Sequence, residues 1–202
     1  MSPDNGAMQQ QSKDLIAQLG PHHQGRVLEH LRRLSDRDLW LRFGYAVTDD
    51  ALRAYVRKLH FSRDAIFAIF DEAADVLALG HLGFDKNASS KMVEFGLSVL
   101  PHARRRGFGL RLLQRAALHA RNRGATHLVM TFMPENDALK SLAERAGMQL
   151  VSDVYEPRAF LSIEPPTAAS LMDETFSEML AAIDLGFRVA NADAIHHRST
   201  SA

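Results

Sequence analysis

The apolar residues of this chain recur with two periods, and each period predicts one type of secondary structure. Short apolar or alternating runs are typical of strands, whereas apolar residues three and four apart are typical of amphipathic helices. Strands are predicted at DLIAQLG, AIFAIFD, VLALGHLGFD, KMVEFGLSVL, THLVMTF, MQLVSDVY and RAFLSIE, and helices at GRVLEHLRRLS, DDALRAYVRKL, LRLLQRAALHARNRG, ENDALKSLAERAG and LMDETFSEMLAAIDLGFRV. This order predicts an α/β fold: a mixed, mostly antiparallel sheet of about seven strands flanked by helices, with an added C-terminal amphipathic helix.

Composition divides the chain into four segments. Residues 1–13 are polar and are predicted to be disordered, and residues 14–165 carry every predicted strand and form one domain. Residues 166–190 are predicted to form the amphipathic helix, and residues 191–202 a flexible tail. One face of the helix carries Leu171, Thr175, Met179 and Ile183. The helix either packs on its own domain or forms a homodimer or another partner contact.

Charge and cysteine content exclude several classes of protein. The 24 Lys and Arg residues balance the 24 Asp and Glu residues, so no overall basic field favours nucleic acid. The chain has no cysteine, which excludes disulfides, thiolate metal sites and a covalent cysteine intermediate. Its ten histidines show no HxxxH or HExxH spacing, so no metal site is expected. Without a signal-like start or a long apolar run, we expect a cytoplasmic protein and no membrane contact.

The most informative stretch is VEFGLSVLPHARRRGFGL, residues 93–110. A strand ends at Pro101, a basic loop contains Gly107 and Gly109, and a helix follows. This arrangement presents free backbone N–H groups and the positive end of the helix dipole to an anion. Arg104, Arg105 and Arg106 add positive charge in the same loop. The stretch therefore indicates a site for a phosphate or pyrophosphate.

Two glycines of this spacing are weak evidence for a ligand site on their own. The alternative interpretation is a surface turn with solvated arginines. The strand at THLVMTF completes a βαβ unit, which places the loop at the carboxyl end of its first strand, where open α/β sheets bind ligands. No P-loop string occurs, and Leu112 stands where a dinucleotide fingerprint needs its third glycine. The sequence therefore excludes both a P-loop and a dinucleotide-binding motif at this loop.

These residues resemble the GNAT superfamily of acyl-CoA-dependent N-acetyltransferases. The family's pyrophosphate loop, Q/R-x-x-G-x-G/A, is matched by Arg104, Gly107 and Gly109, and its second motif by NDALKSLAERAGM, starting at Asn136. A weaker similarity, in LS and LRF around Leu34 and Phe43, links the chain to bacterial protein-lysine acetyltransferases of the Pat kind. The resemblance implies a GNAT-like fold and acetyl-CoA as cosubstrate. The acetyl-CoA-binding residues that it implies are Leu97, Ser98, Val99, Leu100, Arg104, Arg105, Arg106, Gly107, Phe108, Gly109, Leu110 and Asn136.

The chain departs from the family at one position. Many members have a Tyr directly after the position of Leu142, which protonates the leaving thiolate, whereas this chain has Ala143. A thiol pKa near 8.5 makes thiolate a tolerable leaving group even without an acid. Tyr155 and Ser141 are the candidate substitutes, and a strand-end aromatic and an exposed helix serine are their structural alternatives. Asn136 has a competing role as a helix cap.

Deprotonation of the amine acceptor requires a base, because an amine with a pKa near 10.4 is mostly protonated at pH 7. Glu94 lies in the apolar strand that leads to the glycine loop, and burial beside a pocket would raise its pKa towards neutrality. Pat-kind proteins have a catalytic Glu in the corresponding part of the strand, and we predict Glu94 as the base. A solvated glutamate on an alternating strand is the structural alternative. His81 is the second candidate base, with a core histidine as its alternative.

The leading hypothesis is an enzyme that transfers acetyl from acetyl-CoA directly to a primary amine of a small molecule, peptide or protein lysine. A second hypothesis is a non-catalytic acyl-CoA sensor, which Ala143 favours and Glu94 disfavours. A nucleic-acid-binding module is suggested only by the three consecutive arginines. The predicted partners are therefore acetyl-CoA and an amine, without nucleic acid.

Overall fold

The computed structural model describes residues 15–86 and 91–199, with side chains as far as residue 192. The predicted disordered segment, 1–13, lies outside these residues. Strands are β1 (Ile16–Gln18), β2 (Ala65–Phe70), β3 (Val76–Phe84), β4 (Met92–Val99), β5 (His127–Thr131), β6 (Gln149–Val151) and β7 (Arg158–Ser162). Helices are α1 (Gln24–Arg32), α2 (Asp36–Phe43), α3 (Asp49–Arg57), α4 (Phe108–Asn122), α5 (Asp137–Arg145) and α6 (Ala168–Ser199), with short 3-10 turns at Pro21–His23 and Pro101–Ala103.

The strands form one sheet in the order β1-β2-β3-β4-β5-β7-β6. All neighbouring pairs are antiparallel except β4 and β5, which the α4 crossover makes parallel. The predicted fold class is therefore confirmed: a mixed, mostly antiparallel seven-stranded sheet with flanking helices. All six residues of β2 are buried, which explains the continuous apolar run AIFAIF, because helices cover both faces of this part of the sheet.

The two faces of β4 have different neighbours. Phe95 and Leu97 belong to the face covered by α4, since a Cβ added at Gly80 would meet both Phe95 and Leu112. The alternate residues, Glu94, Gly96 and Ser98, belong to the opposite face, which the N-terminal helices cover at Gly96 and Ser98 but not at Glu94. The strand therefore separates a helix that follows the glycine loop from a layer of three N-terminal helices.

The C-terminal helix is longer than predicted. It spans Ala168–Ser199, so it continues through most of the segment predicted as a tail. Ala181 and Leu185 are buried against the domain, and a polar cluster joins the helix to α4. Glu174 accepts hydrogen bonds from Arg115 (2.7 Å), from His119 (2.7 Å) and from Asn122 (2.6 Å). Packing of the helix on its own domain is thus one of its roles.

Two other findings concern the shape of the chain. The strand predicted at MQLVSDVY covers only Gln149–Val151, because the Asp153 carboxylate accepts the backbone N–H groups of Tyr155 and Glu156 and forms a turn there. Among the described residues, no helix combines the length and the apolar character needed to cross a bilayer.

Candidate active site

The parallel strands β4 and β5 separate part-way along their length. They pair at Met92–His127, Val93–Leu128 and Glu94–Val129, and the pairing then stops. Beyond Glu94, β4 continues to Val99 along β3, whereas β5 stays paired with β7. The edge of β4 from residue 95 to 99 therefore has no strand partner on the β5 side among the described residues. A cleft lined with backbone N–H and C=O groups opens between the two strands.

The glycine loop lies directly at the end of β4. The backbone adopts the left-handed conformation at Arg105 (φ 63°) and at Gly107 (φ 80°), and Gly107 is the N-cap residue of α4. Phe108, Gly109 and Leu110 form the first turn of this 15-residue helix, so their N–H groups have no carbonyl partner within it. Together with the helix dipole, these N–H groups suit an anion at the end of the β4–β5 cleft.

Gly109 permits a close approach between α4 and β4. A Cβ at this position would lie 3.0 Å from a methyl carbon of Leu97 and 3.5 Å from one of Leu142. Any larger residue would push the first turn of α4 away from the strand. The glycine therefore positions the N–H groups of the loop relative to the cleft.

The three arginines of the loop have different surroundings. Arg104 forms an ion pair with Asp38 of α2 (2.6 Å) and donates to the carbonyl of Val99 (3.2 Å), so it joins the loop to α2. Arg106 lies over the ring of Phe108, 4.4 Å from its centroid, and Arg105 is exposed. Burial alone would raise the pKa of Asp38, but hydrogen bonds from Ser35 and Arg104 lower it. Arg105 and Arg106 are thus better placed than Arg104 to attract an anionic ligand.

The side chains of the predicted residues at the end of β4 point into the core or bond other residues. Only their backbone groups can therefore contact a ligand in the cleft. Leu97 and Leu100 are buried in the core. Ser98 forms a 2.8 Å hydrogen bond with Nε2 of His30, whose Nδ1 lies 2.9 Å from the carbonyl of Val76. Since a carbonyl only accepts, Nδ1 carries the proton and the Ser98 hydroxyl donates to Nε2. Burial lowers the pKa of His30 from 6.5 to about 4, so the ring is neutral.

Asn136 is the N-cap residue of α5. Its Oδ1 accepts from the N–H of Leu139 (3.1 Å), and its Nδ2 donates to the carbonyl of Leu41 in α2 (3.4 Å). The Trp40 indole donates to the Glu135 carboxylate (2.9 Å) just before it. Both bonds join α2 to the segment that follows β5. Helix α2, which also contacts β4, therefore bridges the two diverging strands, and the capping role proposed as an alternative for Asn136 is observed.

Glu94 lies in the last β4–β5 pair, at the point where the strands separate. Its side chain is exposed, so the expectation of a partly desolvated carboxylate is wrong: the even-numbered face of β4 is open to solvent here. Glu94 nevertheless lies where the cleft between β4 and β5 begins, which is where a base would have to be to deprotonate an amine in the cleft. Its role in catalysis stays a prediction.

His81 belongs to a polar chain on the same face of the sheet. Its Nδ1 lies 2.9 Å from the hydroxyl of Tyr55, and its Nε2 lies 3.5 Å from the carboxylate of Asp64. Burial alone would raise the pKa of Asp64, but bonds from His81, Arg63 and the Phe84 N–H hold it well below its usual range. Burial raises the pKa of Tyr55, so this phenol keeps its proton.

The candidate proton donors to a leaving thiolate do not meet at the cleft. Ala143 is fully buried within α5. Tyr155 is 82% exposed in the loop between β6 and β7, and Ser141 is exposed on α5. The structure shows no contact between either hydroxyl and the separated part of β4. Neither is supported as a substitute acid.

Arg42 is a site residue that the sequence analysis did not assign. Its guanidinium lies on β4 at Gly96, where an added Cβ would come within 2.7 Å of Nη1. An isolated glycine inside a strand signals such a close approach, but only the fold shows which residue approaches. Arg42, Tyr55, His81 and Glu94 thus share the face of the sheet that lies beside the β4–β5 cleft.

One cluster outside this site has the composition of a metal site. Ligand atoms of His119, Glu174 and Glu178 lie within 4.8 Å of one another. Arg115 donates to both carboxylates, at 2.7 Å and 2.6 Å, and already compensates their charge. The cluster therefore fits a structural junction between α4 and α6 better than a cation site.

Comparison with known proteins agrees with this geometry. The sequence profile of the acetyltransferase (GNAT) family matches residues 28–148. None of the curated protein sequences is significantly similar to the chain. The fold resembles the GNAT domain of S. lividans PAT (TM-score 0.64, 18% identity, covering 73% of this chain and 89% of that one).

Two ligand-bound structures have the same fold. One is a GNAT superfamily phosphinothricin acetyltransferase from Sinorhizobium meliloti in complex with AcCoA (TM-score 0.61, 12% identity, 77% and 94% coverage). The other is spermidine N-acetyltransferase from Vibrio cholerae in complex with CoA and spermine (TM-score 0.59, 16% identity, 75% and 96% coverage). The resemblance to the GNAT family that the two sequence motifs indicated is confirmed. The similarity to a PAT GNAT domain is shown at the level of the fold.

Proposed function

Because the chain belongs to the GNAT family of acetyltransferases, we propose that it transfers an acetyl group from acetyl-CoA directly to a primary amine of a small molecule, peptide or protein lysine. The observation that carries this proposal is the separation of β4 from β5 beyond Glu94, which leads directly to the glycine loop of α4. An acyl-pantetheine arm needs a narrow cleft with main-chain hydrogen-bonding groups, and its pyrophosphate needs N–H donors at the end of that cleft.

Each segment of the cleft has its own role in this proposal. The unpaired edge of β4, from Leu97 to Leu100, hydrogen-bonds the amides of the pantetheine arm. The N–H groups from Gly107 to Leu110 bind the pyrophosphate, and the charges of Arg105 and Arg106 attract it. Arg104 and Asn136 act indirectly, because their bonds to Asp38 and Leu41 hold α2 across the cleft.

The chemical step requires one base. The amine arrives as an ammonium ion, and the carboxylate of Glu94 accepts its proton directly or through water. The nitrogen then attacks the thioester carbonyl and a C–N bond forms. The adduct loses its second N–H proton to solvent, the C–S bond breaks, and CoA leaves as a thiolate that solvent protonates. Transfer is direct, since the chain has no cysteine to carry the acetyl group. With Ala143 in place of an acid, the thiol pKa near 8.5 supports thiolate departure.

Binding of acetyl-CoA is tested with a matched pair of glycine variants. Gly107 and Gly124 both have a positive φ and open space around the Cβ position, but they lie at opposite ends of α4. We expect Gly107→Glu to weaken acetyl-CoA binding in calorimetry by at least about tenfold, because a carboxylate would lie where the pyrophosphate binds. Gly124→Glu should retain the wild-type affinity. Equal affinities of the two variants, or no binding by the wild type, would contradict the proposal.

The role of Glu94 is tested by its amide. Glu94→Gln should lower turnover of the best amine at least about tenfold and leave acetyl-CoA affinity unchanged, because only proton transfer is removed. Glu144→Gln, a change at an exposed glutamate of α5, is the control and should retain turnover. Unchanged turnover in Glu94→Gln would reject Glu94 as the base.

A non-catalytic acyl-CoA sensor is the alternative, and the alanine at position 143 is the observation that favours it. Thiol release from acetyl-CoA, measured over amino acids, polyamines, antibiotics and lysine peptides, separates the two functions. Saturable release with any acceptor supports the enzyme. Calorimetric binding of acetyl-CoA without release in any case supports the sensor.

A further inference from the structure

Arg42 places a cation beside the β4–β5 cleft, and no anion of the described residues lies within 4.0 Å of it. Its guanidinium lies at Gly96 of β4, in space that any side chain at that position would fill. Phe43 supports it from α2, with the guanidinium carbon 5.1 Å from the ring centroid. The contact with the strand therefore depends on the absence of a side chain at Gly96, and it holds the guanidinium in one place.

Arginine in such a half-buried position usually has a carboxylate partner, because its five donors need acceptors. Among the described residues, no hydrogen bond or ion pair within 4.0 Å is formed by the Arg42 guanidinium. Other arginines nearby are paired: Arg104 with Asp38, and Arg63 with Asp64. The donors of Arg42 are thus available to a ligand.

Glu94 supplies the opposite charge on the same face of β4. It precedes Gly96 by two residues, a distance of about 7 Å along a strand, and also lacks an ion pair within 4.0 Å in the described part of the chain. The charges of both groups act on the pKa of Tyr55, which Arg42 lowers and Glu94 raises. One cation at Gly96 and one anion two residues earlier on the same face of β4, which do not form an ion pair with each other, are complementary to a small zwitterion.

We infer that the acceptor is an α-amino acid or a close analogue, with its carboxylate bound by Arg42 and its amine facing Glu94. This inference rests on the proposed function and specifies its substrate class. The spacing of the two positions, about 7 Å along the strand, leaves room for a molecule whose amine and carboxylate are one carbon apart, with hydrogen bonds of about 2.9 Å at each end. A polyamine would instead place a second positive charge beside Arg42.

The test compares each amino acid with its decarboxylated amine, for example phenylalanine with phenethylamine and methionine with 3-methylthiopropylamine. We expect the wild type to favour the amino acid by at least about tenfold in kcat/KM, through KM. Arg42→Met, which keeps length and removes charge, should raise the amino-acid KM at least about tenfold and change the amine little. Arg57→Met, at an exposed arginine of α3, is the control.

Two outcomes would overturn the inference. One is an equal kcat/KM of the wild type for an amino acid and its decarboxylated amine, or a higher kcat/KM for polyamines. The other is an equal kcat loss on both substrates in Arg42→Met, which would indicate that Arg42 stabilises the reacting carbonyl instead. Calorimetry of the amino acid with the CoA-bound protein decides the matter independently of turnover: binding that Arg42→Met abolishes supports the inference. Failure of acetyl-CoA binding itself would instead refute the proposed function.

A separate observation concerns the face of α6 that points away from the domain. The buried residues Glu174, Ala181 and Leu185 define the inner face of this helix. The opposite face carries an apolar stripe, about 100° wide at 100° per residue, that is 39% to 73% exposed. The stripe consists of Met172, Phe176, Met179, Leu180, Ile183 and Phe187.

We propose that a second copy of the chain covers this α6 stripe through an antiparallel pair of α6 helices. Weighted by their exposed fractions, the six residues present roughly 700 Å², close to the ~800 Å² that each partner buries in a standard interface. The stripe is centred between Met179 and Leu180, so a two-fold axis there would place Phe176 of each copy against Ile183 of the other. This contact is compatible with the intramolecular packing of the inner face.

Sedimentation measures the mass of the wild type across micromolar concentrations. We expect a species of twice the 22.5 kDa chain mass, and a monomer for the double variant Phe176→Ser, Phe187→Ser with unchanged helix content. Val154→Ser with Tyr155→Ser removes two even more exposed apolar residues from the loop between β6 and β7 and should leave the dimer intact. A monomeric wild type, or a dimer that survives the α6 variant, would overturn the proposal. So would a monomer that binds phosphatidylglycerol vesicles through the stripe.

Discussion

Acidification should weaken the fold through the buried histidine His30, which hydrogen-bonds Ser98 of β4. Burial lowers the pKa of His30 from 6.5 to about 4. In the unfolded chain this histidine takes up a proton as the pH falls below about 6.5, whereas in the folded protein it does so only near 4. The unfolded state therefore binds more protons between these values, and stability is lost as the pH falls through them.

The size of the loss follows from the two pKa values of His30. Between about pH 7.5 and pH 5, proton linkage removes about 2 kcal/mol of unfolding free energy, and the loss approaches about 3 kcal/mol below pH 4. The structural cause is specific. Protonation of Nε2 removes the acceptor of the Ser98 hydroxyl and leaves a charge in the core.

Urea denaturation at about pH 7.5 and pH 5 measures this loss for the wild type and for His30→Gln. The glutamine variant is less stable at both values, but its stability should change by about 2 kcal/mol less between them than that of the wild type. His60→Gln, at an exposed histidine, should behave like the wild type. Identical pH dependence in His30→Gln and the wild type would refute the reasoning.

Further predictions concern the helix cap and the α4–α6 junction. Asn136→Ala should lower the unfolding free energy by about 1 kcal/mol, because the helix cap is lost. The acetyl-CoA affinity should stay within a few-fold of the wild-type value. A tenfold loss of affinity without destabilisation would instead indicate that Asn136 contacts the ligand directly. Glu174→Ala should cost about 3 kcal/mol in urea denaturation, since Arg115 is buried and loses one of its two carboxylates. Burial alone would raise the pKa of Glu174, but hydrogen bonds from His119, Asn122 and Arg115 lower it to about 2. The wild type should therefore lose the stabilisation by the Glu174 carboxylate as the pH falls from about 4.5 to 2, whereas Glu174→Ala should not. Parallel plots of unfolding free energy against pH for the two proteins would contradict this prediction.

The sequence by itself determined most of the elements and the position of the glycine loop, but it did not predict the helix Asp36–Phe43. Runs such as AIFAIF (65–70) and the helical period after Gly109 are local patterns, and burial of one face or of both faces is what produces them. The positive φ of Gly107 and the helix that follows it are equally local, so the βαβ unit and its glycine loop could be predicted from neighbouring residues. The capping role of Asn136 is likewise local, because its side chain accepts from the N–H of Leu139, three residues further along.

Only the tertiary structure decided which side chains meet at the cleft. The separation of β4 and β5 depends on the pairing of β5 with β7, which lies about thirty residues further along the chain. The contacts of Arg42 with Gly96, of Arg104 with Asp38 and of His30 with Ser98 each join residues more than fifty positions apart. The exposure of Glu94 depends on how the N-terminal helices cover β4. No local period encodes such contacts, because their free energy arises only when distant segments pack together.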